Sequence, residues 1–247
     1  MVWSYIRNLL TKKSRHLADL RTRAEHGDFE AMCDLGFCYQ NGDGVRRDLK
    51  AAVAMYQKAA EQGYARAQCN LGGCYAKGEG VPQNHEQAVE WYRKAAEQGD
   101  ALAQYCLGIC YYLGDGVPMN MEQAAGWYQK SAAQGYAMAE YNLGACYANG
   151  EGMPKDMEKA AEWYRKSAEH GNPDAQYSLA GCYILGEGVE RNYVQAYKWF
   201  ELANAHNVAD AGKRRDMLVE LMTREQITEA RRLASEFKPQ DDWAAKS

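Results

Sequence analysis

Apolar and polar positions along the chain recur every 36 residues. Leu35-Gly36, Leu71-Gly72, Leu107-Gly108 and Leu143-Gly144 form one column, with Leu179-Ala180 as its fifth member. Cys38, Cys74, Cys110, Cys146 and Cys182 form a second, and the tyrosines at 39, 75, 111, 147 and 183 a third. Gly27, Gly63, Gly99, Gly135 and Gly171 keep the interval without an insertion, as do the alanines at 52, 88, 124, 160 and 196. Self-similarity at this length is the signature of stacked helical units.

Each unit reads as two helices. In the first unit Ala31, Leu35, Cys38 and Tyr39 fall at i, i+4, i+7 and i+8, one face of a helix. That helix ends at Gly42, where glycine can take the left-handed conformation. First helices open near Asp28, Tyr64, Asp100, Tyr136 and Asn172, and Asn172-Pro173 joins a capping side chain to proline at the first helical position. Second helices open at Asp48, Asn84, Asn120, Asp156 and Asn192. Asn84-x-x-Gln87, Asn120-x-x-Gln123 and Asn192-x-x-Gln195 have the spacing of capping boxes. The second helix of unit one turns Ala52, Tyr56, Ala59 and Ala60 inward. Small residues (Ala31, Gly36, Ala52) let a neighbouring helix approach, and Leu35, Tyr39 and Tyr56 fill the space between. A pair this short cannot bury its own apolar faces, so successive pairs must stack.

The ends depart from the pattern. Residues 15–27 align with a second helix but carry His16 and Arg23 where alanines stand elsewhere, as a polar N-terminal cap would. Val208 to Met222 is amphipathic, and Thr223-x-x-Gln226 opens a last helix with Ile227, Ala230, Leu233 and Phe237 on one face. The tail from Lys238 is expected to fray. The predicted division is 1–27 for the N-terminal cap, 28–206 for five repeats (28–63, 64–99, 100–135, 136–171, 172–206), and 207–247 for the C-terminal cap and tail.

The unit A-x-x-x-L-G-x-C-Y-x-x-G-[DE]-G-V, followed by A-x-x-W-Y-x-K-[AS]-A, closely resembles the Sel1-like repeat family, relatives of tetratricopeptide repeats. Residues 103–117 show the first half in full, and the resemblance covers about 28 to 206. The departures are Met55 for tryptophan, Ala180 for glycine and Met153 for valine. The resemblance implies an all-α fold, an α/α superhelical solenoid of five repeats with degenerate capping helices. It also implies binding of proteins and assembly of complexes, without catalysis. Bacterial members include immunity-type proteins that block a toxin. Some secreted members carry inter-helix disulfides, with cysteines paired differently from those here.

Charge and candidate chemistry narrow the reading. With 29 Lys and Arg against 33 Asp and Glu the net charge is −4, which gives no electrostatic reason to bind nucleic acid. The longest apolar run, 105–113, is half the length of a spanning helix. The N-terminus has Arg7 inside what would be a leader's apolar region, and Lys12, Lys13 and Arg15 follow that region rather than precede it. Trp3, Ile6 and Leu10 fit the stripe of a first helix in a cytoplasmic protein, or an interfacial membrane helix. Of the 8 cysteines, the pairs 33/38 and 69/74 lie five apart on one helix, with Cα atoms roughly 8.5 Å apart, beyond disulfide reach. Reduced, buried thiols are expected. Cys106 and Cys110 have metal-ligand spacing without two further ligands, so no metal and no cofactor are expected. The Gly-acid-Gly loops follow helices rather than strands, against a nucleotide site. Asp43, Glu79, Asp115, Glu151 and Glu187 belong to separate units and cannot act as a catalytic pair. His26, His170 and His206 share one slot at a helix C-terminus, and His85 has no nucleophile motif beside it. Trp91, Trp127, Trp163 and Trp199 recur in register, as stacking residues do.

Partner contact is expected on the first helices, which line the concave face in helix-pair solenoids, at positions −5, −2, +2 and +5 from the repeat leucine. The selected residues are Phe37, Arg66, Leu102, Tyr105, Ile109, Tyr112, Met138, Tyr141, Tyr177 and Ile184. Their middle is apolar and aromatic, as binding surfaces are. Tyr105, Tyr141 and Tyr177 also fit a column that stacks on itself. Two functions follow: a cytoplasmic, non-enzymatic adaptor or sequestering protein that binds a protein or peptide as a monomer or weak homo-oligomer; or a secreted cell-wall-related protein, β-lactamase-like or peptidoglycan-binding.

Overall fold

A computed structural model describes residues 15–240. Trp3, Ile6 and Leu10 lie outside the described residues. Those described are helical with connecting turns and contain no strand. They divide into two compact units, split between Met119 and Asn120. The first holds α1 (15–25), α2 (Phe29–Asn41), α3 (Leu49–Glu61), α4 (Ala65–Lys77), α5 (His85–Glu97) and α6 (Ala101–Leu113). The second holds α7 (Met121–Ala132), α8 (Ala137–Asn149), α9 (Met157–Glu169), α10 (Pro173–Leu185), α11 (Tyr193–Ala205), α12 (Ala211–Val219) and α13 (Arg224–Glu236). Inside each unit every repeat helix packs on its neighbours in sequence, α2 on α3 on α4 through α6, and α7 on α8 through α11, with α12 and α13 both on α11. This is the all-α, helix-pair solenoid class.

The caps form where the sequence places them. Asp48, Asn84, Asn120, Asp156 and Asn192 have extended backbones, and each side chain accepts from the amide three residues on. At Asn84, Asn120 and Asn192 this is the forward half of a capping box; both halves form at Thr223–Gln226. First helices close on Gly42, Gly78, Gly114, Gly150 and Gly186, at φ of 71 to 77°, whose amides donate to the carbonyl of the register cysteine. The second glycine of the loop has a different duty. A Cβ on Gly80, Gly116, Gly152 or Gly188 would strike the first carbonyl of the preceding second helix, that of Leu49, His85, Met121 or Met157. The loop backbone is packed against protein there, which leaves no cradle for a phosphate.

The core is a ladder of small residues against rings. A Cβ on Gly36 would sit 2.7 Å from the ring of Tyr56; the same pairing joins Gly72 to Tyr92 at 2.8 Å and Gly144 to Tyr164 at 2.7 Å. These rings are buried, as is Phe200 in the fifth repeat, where Ala180 replaces the glycine. The register cysteines fill neighbouring space as small apolar groups, and burial pushes the thiols of Cys74, Cys146 and Cys182 up to about 11 and that of Cys110 to about 12.

A buried polar column completes the ladder. Gln68, Gln104 and Gln176 donate to Ala60, Ala96 and Ala168, carbonyls near the ends of second helices. Gln68 in turn accepts from Gln98 at 2.7 Å. In the fourth repeat the same two slots hold Glu140 and His170, with Glu140 Oε2 and His170 Nδ1 2.8 Å apart. Burial raises the Glu140 carboxyl above its usual range, while His170 and Lys166 pull it down and Glu169 adds to the rise.

The caps close both units. Leu17, Leu20 and Ala24 of α1 pack on Ala31 and Leu35. Phe237 meets Trp199 edge-on at 5.4 Å, and the amide of Gln240 donates to the Glu169 carbonyl at 2.9 Å, so the chain stays docked past the Lys238 at which fraying is expected from sequence.

Two outcomes are expected. Gly144→Ala gains about 1 kcal/mol of helix propensity but drives a methyl into a confined ring, for a net loss of about 1–2 kcal/mol in urea unfolding. Glu140→Gln tests the buried carboxyl. A carboxyl raised in the folded state contributes most below its unfolded value near 4.5, and that contribution is lost as pH rises through the folded value. The variant should therefore gain on the wild type as pH rises from about 4.5 toward neutrality, read as the difference in urea midpoints.

Candidate partner-binding surface

The selected residues fall on α2, α4 and α6 in the first unit and on α8 and α10 in the second. In the first unit Phe37, Leu102 and Tyr112 are 51%, 40% and 37% exposed, large figures for apolar side chains. Arg66 is exposed and pairs with Asp34 on α2 at 2.9 Å. Tyr105 and Ile109 are half-buried. Leu102, Tyr105, Ile109 and Tyr112 lie at i, i+3, i+7 and i+10, so one face of α6 presents apolar groups to solvent from end to end. Leu113, at 57%, extends the patch and was outside the −5, −2, +2, +5 rule.

In the second unit the same positions are more engaged. Met138, Tyr141, Tyr177 and Ile184 are all half-buried. The Tyr141 ring lies 5.8 Å from that of Tyr164, its hydroxyl is hydrogen-bonded to Ser178, and burial raises its pKa. Tyr177 meets Phe200 edge-on at 5.3 Å, with the Arg214 guanidinium of α12 5.6 Å from its ring. Met138 Sδ accepts from Asn172 at 3.4 Å. The ring contacts at Tyr141 and Tyr177 are thus with the following second helix of the same repeat, a different arrangement from the column stacking expected from sequence.

On the second helices of each unit, lysines lie over aromatic rings. Lys94, Lys130 and Lys166 lie 4.1, 3.8 and 4.0 Å from the rings of Trp91, Trp127 and Trp163. Glu162 and Lys166 pair at 3.1 Å on a solvated surface. A separate open groove of about 950 Å3 is lined by Leu17, Tyr39, Val45, Arg21, Arg46 and Lys50 among others. Its neighbour Asp48 is already committed to capping α3. Among the described residues no group of three or more His, Cys, Asp or Glu is placed to hold a metal ion, and no helix is long and apolar enough to cross a membrane.

Sequence reasoning missed two pairings, Glu140–His170 and Cys69–Cys106. The first joins the two helices of one repeat, 30 residues apart, and the second joins successive repeats, 37 apart, so spacing within a single helix reveals neither.

The family model described as "Sel1 repeat" matches residues 29–64, 65–100, 101–136, 137–172 and 173–208. A search of curated proteins finds no match. Among solved structures the chain is similar to a Sel1 repeat protein from Oxalobacter formigenes, with 34% identity, 82% of this chain and 58% of that chain covered, and a TM-score of 0.76. It is also similar to c5321, a protective antigen present in uropathogenic Escherichia coli strains displaying an SLR fold, at 32% identity, 99% and 63% coverage and a TM-score of 0.58. The chain thus spans less than two thirds of the length of both. Immunity protein Pa5087 from Pseudomonas aeruginosa shares the fold at 22% identity, 76% and 72% coverage and a TM-score of 0.51.

Alanine substitution should separate surface from core. Leu102→Ala and Tyr112→Ala should each change unfolding free energy by about 0.5 kcal/mol or less, whereas Tyr177→Ala should cost about 2 kcal/mol or more, by equilibrium denaturation.

Proposed function

The chain belongs to the Sel1 repeat family, and from that premise we propose that it is a non-enzymatic scaffold that binds a protein or peptide along its first helices. The observation that carries the reading is the α6 face, where Leu102 and Tyr112 stay exposed and Ile109 half-exposed between them. Aromatic and aliphatic groups on a rigid helix supply contact area at small entropic cost. Arg66, exposed on the neighbouring first helix, supplies a charge at the rim. The fitting partner is an amphipathic helix or extended segment with an apolar stripe and an acidic edge, held in the concave groove. Phe37 and Tyr105 complete the proposed face in the first unit; Met138, Tyr141, Tyr177 and Ile184, all half-buried, are the corresponding candidate contacts of the second.

The role is that of an adaptor or sequestering protein, of which an immunity protein is one form; the fold shared with Pa5087 is compatible with that form. We place it in the cytoplasm as a monomer or weak homo-oligomer without a cofactor. The secreted reading draws on a disulfide framework, and all eight cysteines are free thiols.

Affinity capture from native lysate, quantified by mass spectrometry, tests the surface. The double variant Leu102→Glu/Tyr112→Ala should keep its helical circular dichroism and lose a captured partner by about tenfold or more. Glu86→Ala, exposed on α5, should capture as the wild type does. Equal capture by all three proteins would remove the α6 face from the function.

A further inference from the structure

Successive first helices meet through one recurring contact. The residue two before the repeat leucine touches the residue one before the leucine of the next repeat, 37 positions on. Asn70 donates to Cys33 Sγ at 3.3 Å in this way. Tyr141 and Ser178 are hydrogen-bonded in the same register. Between α4 and α6 both members are cysteines, Cys69 and Cys106, and their thiols are in hydrogen-bond contact. Two further groups attend this pair. The Tyr92 hydroxyl is hydrogen-bonded to Cys106, and the Asp100 carboxylate, which caps α6 by accepting from Ala103 at 2.8 Å, is hydrogen-bonded to Cys69. Cys69 is 4% exposed, while Cys106 is only half-buried.

We propose that Cys69 and Cys106 form a peroxide-sensitive dithiol that closes reversibly into a disulfide linking the second and third repeats. The two thiols have unequal roles because they differ in access: Cys106 is the more exposed and meets peroxide first, and Cys69 lies behind it. Hydrogen bonds from Cys69 and from Tyr92 hold the Cys106 thiol below its usual range against the effect of burial. The register cysteines on the same two helices, Cys74 and Cys110, are pushed up to about 11 and about 12 by burial and are poor nucleophiles. Cys106 as thiolate attacks one oxygen of hydrogen peroxide, the O–O bond breaks, and Cys106 sulfenic acid forms with release of hydroxide. The Cys69 sulfur then attacks the sulfenic sulfur. The S–S bond forms, the S–OH bond breaks, and the Cys69 proton leaves with that hydroxyl as water. In sum two thiols and one peroxide give one disulfide and two waters. The same register brings Asn70 to 3.3 Å from Cys33 Sγ, the kind of proximity from which an S–S bond of ~2.05 Å can close.

The test uses the intact, reduced chain, treated with hydrogen peroxide, quenched in acid, blocked with N-ethylmaleimide under denaturing conditions and digested with trypsin without reductant. The expected product joins residues 67–77 to residues 95–130, with fragmentation placing the bond at Cys69 and Cys106 and dithiothreitol dissolving it. Cys69→Ser should abolish the cross-link and leave Cys106 to be trapped by dimedone as sulfenic acid. A first oxidation at any other cysteine, a bond through Cys74 or Cys110, or full maleimide labelling of both residues after peroxide would each overturn the proposal. Should the variant fail to fold, the wild-type map decides alone.

Discussion

The structure depends on how closely a first helix can approach the second helix of its own pair. That distance is set at Gly36, Gly72 and Gly144, where the missing side chain lets the ring of a buried tyrosine lie against helix backbone. A ring wedged at that depth leaves room beside it for little more than the register cysteine and alanines, which is why those columns are so uniform. The same constraint reaches the loops: pairs held this tightly bring the Gly-acid-Gly turns at Gly80, Gly116, Gly152 and Gly188 onto the start of the preceding second helix. Composition, loop shape and cysteine placement all follow from one contact repeated along the chain.

Much of this was legible in the sequence because it is local or strictly periodic. The caps at Asp48, Asn84, Asn120, Asp156 and Asn192 are three-residue signals, and the capping box at Thr223–Gln226 marks α13 without help from the repeat. What escaped were contacts whose partners differ in identity from repeat to repeat. Glu140 and His170 look like two isolated ionisable residues until they are seen to occupy the slots of Gln68 and Gln98. The dock of Phe237 on Trp199 escaped for a related reason, since it joins a repeat column to a cap outside the period.

The candidate surface was partly legible. A rule based on variation between units selects positions where packing tolerates change, and that includes solvent-facing sites and contacts between helices alike. Phe37, Arg66, Leu102 and Tyr112 are of the first kind. Tyr141 and Tyr177 are of the second, each against a ring of the following second helix. Sequence alone cannot separate the two, because a tyrosine suits either: its ring packs and its hydroxyl reaches a polar neighbour.

This double use explains where chemistry can arise in such a chain. Glycine, ring and register cysteine are pinned by steric fit, so a reactive or charged group placed there would break the pair. Contacts between successive first helices are looser, and the 37-residue register accepts Cys33 with Asn70, Tyr141 with Ser178, and Cys69 with Cys106. Each is a part-buried polar pair whose members come from different repeats, so it forms only when both repeats are folded and stacked. A dithiol built in that position reports on the stacking of its own neighbours, and it sits one residue from Tyr105 on the helix whose outer face carries Leu102 and Tyr112. Packing tolerance, and not a dedicated motif, is what would let a structural repeat acquire the proposed dithiol beside the exposed side chains of α6.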